Sequence, residues 1–198
     1  MRVRRLARGA DDGFRSAVAP GLKSGADAHR LADELAFAAT RLRRLEEDPP
    51  GLYAELSAGS QDIEELAWLA FLIAYLCPLD NEDPFSDISA VRTPWSSAEL
   101  PALDGVALGP RTAYERGRGP ATLSAYRAWA ARAGSQADAF CGEAGWSAER
   151  RFERVFERLA LPGFHRDSRF DLLVTLGRAG LFDLRAAKLH LGGENEVT

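Results

Sequence analysis

The chain is poor in cysteine, histidine, lysine and long apolar runs, and each shortage excludes something. Its 198 residues hold two cysteines and three histidines. Cys77 and Cys141 stand far apart, so there is no C-x-x-C pair for zinc or redox chemistry and no disulfide framework. That usage fits a reducing compartment, and the expected location is cytoplasmic. No cluster has metal-ligand spacing and no Ser-His-Asp order emerges, so neither metal nor cofactor is expected. Of 25 basic residues only Lys23 and Lys188 are lysine, which leaves an amine nucleophile few places to be.

The longest apolar run, Leu66 to Cys77, is twelve residues long. A membrane span needs about twenty, so this run reads as a buried helix and no membrane partner is expected. The N-terminal MRVRRLARGADDG is basic but has no apolar stretch behind it, unlike a secretory leader. No segment alternates apolar and polar with the period of a strand, and no internal repeat is visible. The net charge is −4, whereas bulk nucleic-acid binders are basic. Any anion-binding face must therefore be local.

What is present is helical. Residues 1–23 read as a basic lead-in and 24–198 as a single compact all-α domain. Leu31, Leu35, Ala38, Leu42 and Leu45 recur at steps of three and four until Asp48-Pro49-Pro50-Gly51 stops the helix. A short helix is expected at 52–56. Ser60 or Asp62 then caps a helix reading IEELAWLAFLIAYLC, apolar almost all round, which belongs at the centre of a bundle. Its stripe of Trp68, Phe71, Leu72 and Tyr75 reads as core, with ligand stacking the rarer use of such a stripe. Residues 80–104 carry six acids against Arg92 alone and read as a solvated loop with short turns at 86–90 and 97–103. Asp80-Asn81-Glu82-Asp83 lacks the glycine and closing glutamate of a calcium loop. Arg111, Arg116 and Arg118 lie in a Gly/Pro-rich stretch without the spacing of a phosphate loop. Helices are expected at 121–132, after Ser135, after Ser147 (SAERRFERVFERLA), over DSRFDLLVTLGRAG and from Asp183 onward. In the Ser147 helix Phe152, Val155, Phe156 and Leu159 face inward, and Glu149, Glu153 and Glu157 alternate with Arg150, Arg154 and Arg158 on the wet face.

The informative motif is the bend between the last two long helices, Leu161-Pro162-Gly163-Phe164-His165-Arg166. A tight turn with glycine at its apex lets main-chain N–H groups gather at the start of the second helix. With the helix dipole they make a seat for an anion such as a DNA phosphate. Arg166 and Arg169 are placed to add charge-assisted contacts. His29 and His190 read as ordinary surface residues, and His165 as either a turn residue or a phosphate contact.

Helix, LPG bend, helix: residues 147–191 resemble the helix-hairpin-helix DNA glycosylase superfamily, with the hairpin at 147–180. The run RFDLLVTLGRAGLFDL is also similar in texture to the glycosylase-like α-glutamyl/putrescinyl thymine pyrophosphorylases. The resemblance implies DNA binding through Pro162, Gly163, Phe164, His165, Arg166 and Arg169, in base excision or modified-base processing. It also implies a catalytic aspartate after the second hairpin helix, where Asp183 falls, stabilising positive charge on the sugar as the base leaves. The family's second hairpin glycine is here His165. The lysine of bifunctional members is replaced by about Asp167, so any activity would be lysine-independent. No iron–sulfur tail is present. Asp183 is equally a good helix N-cap. Two readings compete with a DNA-binding enzyme: a catalytically inactive scaffold that binds a protein partner, and an all-α domain whose bend is only a helix connection.

Overall fold

The computed structural model describes residues 9–59 and 62–188, and among these it holds eight helices and no strand. They are α1 (Gly25–Glu47), α2 (Leu52–Ser57), α3 (Ile63–Leu76), α4 (Ser86–Val91), α5 (Gly119–Ala133), α6 (Gln136–Cys141), α7 (Ala148–Arg158) and α8 (Arg166–Arg178). The all-α class is therefore as expected. The chain divides into two units, one reaching to Arg44 and the other starting at Leu45. The division falls inside α1. Leu31 and Leu35 of the α1 apolar stripe are 40% and 61% exposed, whereas Leu45 is 2% exposed. Only the last turn of that stripe is buried.

In the first unit two aspartates hold the described part of the lead-in. Asp12 accepts from Gly25 N at 2.8 Å and Phe14 N at 2.9 Å, which gives the first turn of α1 an acceptor from outside the helix. Asp27 accepts from Gly9 N through both carboxylate oxygens. Residues 1–8, the most basic part of the lead-in, lie outside the described residues.

The second unit is built around α3. Asp62 supplies its N-cap, accepting from Glu64 N at 3.0 Å, and Glu64 and Glu65 occupy the positive end of the dipole. Every residue from Leu66 to Leu76 is buried. Helices α2, α4, α6 and α8 all pack against it. Trp68, Phe71, Leu72 and Tyr75 are each 0% exposed, so the aromatic stripe is core. Phe71 stacks on Tyr126 of α5 with centroids 3.8 Å apart. Cys77 ends α3 at φ 62, a left-handed conformation uncommon outside glycine, and it is half-buried rather than a core residue.

Glu64 also ties α3 to α6 across 72 residues. Its carboxylate accepts from Gln136 N at 2.9 Å and Ala137 N at 2.8 Å, and its carbonyl accepts from Gln136 Nε2 at 2.7 Å. The fully buried Gln136 in turn accepts from Tyr126 Oη at 2.6 Å. Burial holds the Tyr126 hydroxyl well above its ordinary pKa, with the Glu64 charge adding to the effect.

Two expected elements do not form. Residues 97–103 have no helical turn, because Ser97 O is taken by the Arg127 guanidinium at 2.6 Å. Residues 183–188 are not helical either. There Leu184 N closes a tight turn onto Phe182 O, and Arg185 N donates to Ala148 O. The rest of that expected helix, with His190, lies outside the described residues. Among the described residues no helix is long and apolar enough to cross a membrane, and no group of three His, Cys, Asp or Glu residues could hold a metal ion.

Two expectations follow. Glu64→Ala removes the carboxylate that accepts from the Gln136 and Ala137 amides, and each hydrogen bond to a charged group contributes about 1.5–3 kcal/mol. Urea titration should show a loss of at least about 2 kcal/mol. Asp12 has its pKa lowered, first by the Gly25 amide and then by that of Phe14. A lowered carboxylate stabilises the fold above its ordinary value of 3.8 and loses that contribution as the pH falls through the lowered value. Amide exchange at Gly25 should therefore lose protection only below that range and stay flat through neutral pH.

Candidate functional site

The bend between α7 and α8 is set by one glycine and one apolar anchor. Gly163 has φ 72, and a Cβ there would meet Thr122 Oγ1 at 2.6 Å. That Thr122 hydroxyl, fully buried on α5, donates to Pro162 O at 2.8 Å. Phe164 N closes the turn onto Leu161 O at 3.1 Å. Phe164 itself is 3% exposed and inserts between Phe71, at 5.0 Å between centroids, and Tyr75, at 6.2 Å. The buried Tyr75 hydroxyl has no hydrogen-bond partner among the described residues, and burial raises its pKa.

With Phe164 fixed, the chain enters α8 through His165 in extended conformation (φ −69, ψ 159). The His165 side chain makes no cap hydrogen bond. The first-turn N–H groups of a helix have no acceptor within the helix, and here no cap side chain takes them. Pro162 and His165 are exposed, while Gly163 and Arg166 are half-buried. Arg166 Nε stands 3.5 Å from the exposed Asp167 carboxylate.

Arg169 is turned inward. Its Nη1 donates to Phe156 O at 3.0 Å, giving a late α7 carbonyl a cationic partner, and its guanidinium lies 4.7 Å from the Phe156 ring centroid. Burial lowers its pKa, and the neighbouring Arg166 charge lowers it further. Two cations therefore sit close together at the positive end of α8.

The structure also brings in a loop that sequence alone left apart. Glu115 lies 3.7 Å from His165 Nε2 and 3.1 Å from Arg118 Nη1. The Arg111–Arg118 stretch is thus joined to the bend, with Arg111, Arg116 and Arg118 exposed. Thr122 and Glu115 were not visible as site residues, because each meets the bend only after a separation of 40 or more residues.

Asp183 stands elsewhere. Its carboxylate is 2.7 Å from Arg151 Nη1, which also donates to Asp183 O at 2.8 Å. Arg151 is 9% exposed and reaches Cys141 O at 2.6 Å and Trp146 O at 3.2 Å as well. It is a clasp that joins the end of α6, the following loop and the segment after α8. Arg151 lies in the first turns of α7, whereas the bend follows α7's last turn. Seven residues of helix separate Arg151 from Arg158, about 10 Å along the axis. The Asp183 side chain is 72% exposed, so solvent weakens its half of the pair.

The two partners should respond unequally. Asp183→Asn is expected to cost under about 1 kcal/mol, as for an exposed pair. Arg151→Met leaves several main-chain acceptors without their donor and is expected to cost about 3–5 kcal/mol. Denaturant midpoints of the two variants, measured side by side, check the asymmetry.

Compared with known proteins, the chain matches no family model, no curated protein and no solved structure.

Proposed function

We propose that the chain binds nucleic acid through a helix-hairpin-helix element formed by α7, the 159–165 bend and α8, with a DNA phosphate seated on the N-terminus of α8. The observation that carries this reading is the uncapped start of α8, held rigid behind Gly163 and Phe164. Main-chain donors and the dipole favour an anion there. Arg166 and the exposed arginines of the 111–118 loop add positive charge around it, and the exposed His165 offers a ring nitrogen beside them. The glycosylase resemblance would place this contact beside an extruded nucleotide, in base excision or in modified-base processing.

Binding without excision is the form of the reading that the geometry favours. The candidate acid, Asp183, is paired with Arg151 near the first turns of α7, away from the bend. A hydrolase would need it free to face the sugar. A base-excision assay over damaged and modified bases should therefore give no turnover. Turnover abolished by Asp183→Asn would establish the enzyme instead. A scaffold that binds a protein predicts no affinity for DNA at all.

The decisive variant is His165→Asp. Substitution at Gly163 is unsuitable, since any side chain there is strained and strikes Thr122. An aspartate at the N-cap takes the first-turn amides itself and suits the dipole. It should leave the melting temperature little changed, yet lower affinity for an abasic-analogue duplex by about tenfold or more through competition and like charge. Unchanged affinity, or wild-type binding that does not respond to salt, overturns the proposal.

A further inference from the structure

Arg150, Arg154 and Arg158 recur at i, i+4 and i+8 along one stripe of α7, and all three are exposed. The acids interleaved with them would neutralise the stripe if they paired within the helix. Two of them are drawn off by the segment after α8. Glu149 meets Arg185 at 3.4 Å and Glu153 meets Lys188 at 3.2 Å. Glu157 pairs with the stripe, at 3.3 Å from Arg154. Among the described residues no acid forms an ion pair with Arg150 or Arg158.

Both of those arginines lie over the same ring instead. Each guanidinium carbon is 5.6 Å from the Trp146 centroid, so the two stand no further apart than twice that distance. The ring is fixed and 8% exposed. Gly142 at φ 61 passes so close that a Cβ would meet it at 2.5 Å. Trp146 Nε1 is buried and has no hydrogen-bond partner among the described residues. A guanidinium stacked on an aromatic face keeps its in-plane N–H fork available to an oxyanion. Arg150 to Arg158 spans about 12 Å of helix. One strand of duplex advances roughly 3.4 Å per phosphate, so three cations over that length suit a run of phosphates better than a single small anion.

We infer that this ridge, Arg150 and Arg158 seated at Trp146 with Arg154 between them along the helix, is a phosphodiester-binding track distinct from the bend. It rests on the nucleic-acid reading of the partner, but not on the bend holding a phosphate.

The experiment titrates a 20-base-pair DNA duplex across salt concentrations with four proteins: wild type, Arg150→Gln/Arg158→Gln, Arg150→Lys/Arg158→Lys and His165→Asp. Losing two phosphate contacts should lower the slope of log affinity against log salt by about two for the glutamine pair, and the lysine pair should restore it. Thermal unfolding of the glutamine pair should match wild type, since both side chains are exposed. A wild-type slope for the glutamine pair overturns the track, and the bend survives if His165→Asp weakens binding. A lost slope for the glutamine pair with no effect of His165→Asp supports the track and overturns the bend. No binding by wild type overturns both.

Discussion

The insertion of Phe164 between Phe71 and Tyr75 is the contact on which the candidate site depends. A buried aromatic side chain is worth several kcal/mol on truncation, and this one lies one residue before the N-cap of α8. Burying it fixes the direction in which α8 leaves the bend, and with it the direction of the first-turn donors. Gly163 is then forced, because the chain must pass Thr122 at a distance no side chain tolerates. The bend is therefore part of the α3–α5 core, and its geometry is as rigid as that core.

A second constraint runs through Arg151. Its guanidinium gathers the ends of three segments that have no helical hydrogen bonds to offer one another. A buried cation with main-chain acceptors around it costs little beyond its desolvation, and it is expensive to remove. Asp183 completes that arrangement from the solvent side. The resemblance to glycosylases read the same aspartate as an acid. In the fold that carboxylate is paired with Arg151 near the first turns of α7, and this pairing is what the proposed function uses to separate binding from excision.

Charge is sorted by tertiary contact as well. The alternating acids and bases of α7 look self-neutralising in sequence. In the fold, Arg185 and Lys188 draw Glu149 and Glu153 toward the segment after α8. A protein with a net charge of −4 can thereby present a local arginine ridge. Net charge governs long-range steering, but contact with an anion depends on which cations remain uncompensated at one place.

By itself the sequence determined the helices, because their signals are local: Asp62, Ser135 and Ser147 as caps, Pro120 near a helix start, Pro49-Pro50 and Pro162-Gly163 as breaks, and an all-round apolar run that had to be central. It determined the bend for the same reason. Local signals failed where a distant partner competed for the backbone, as when Arg127 took Ser97 O and Arg185 N turned to Ala148 O. Only the tertiary structure decided that Thr122 buttresses Pro162, that Glu115 brings the arginine loop to His165, that Arg169 turns inward and that Asp183 is held by Arg151. Each of these joins residues separated by 13 to 50 positions. A pattern of residue types cannot rank such pairings, because their strength comes from distance and burial, which exist only once the chain has folded.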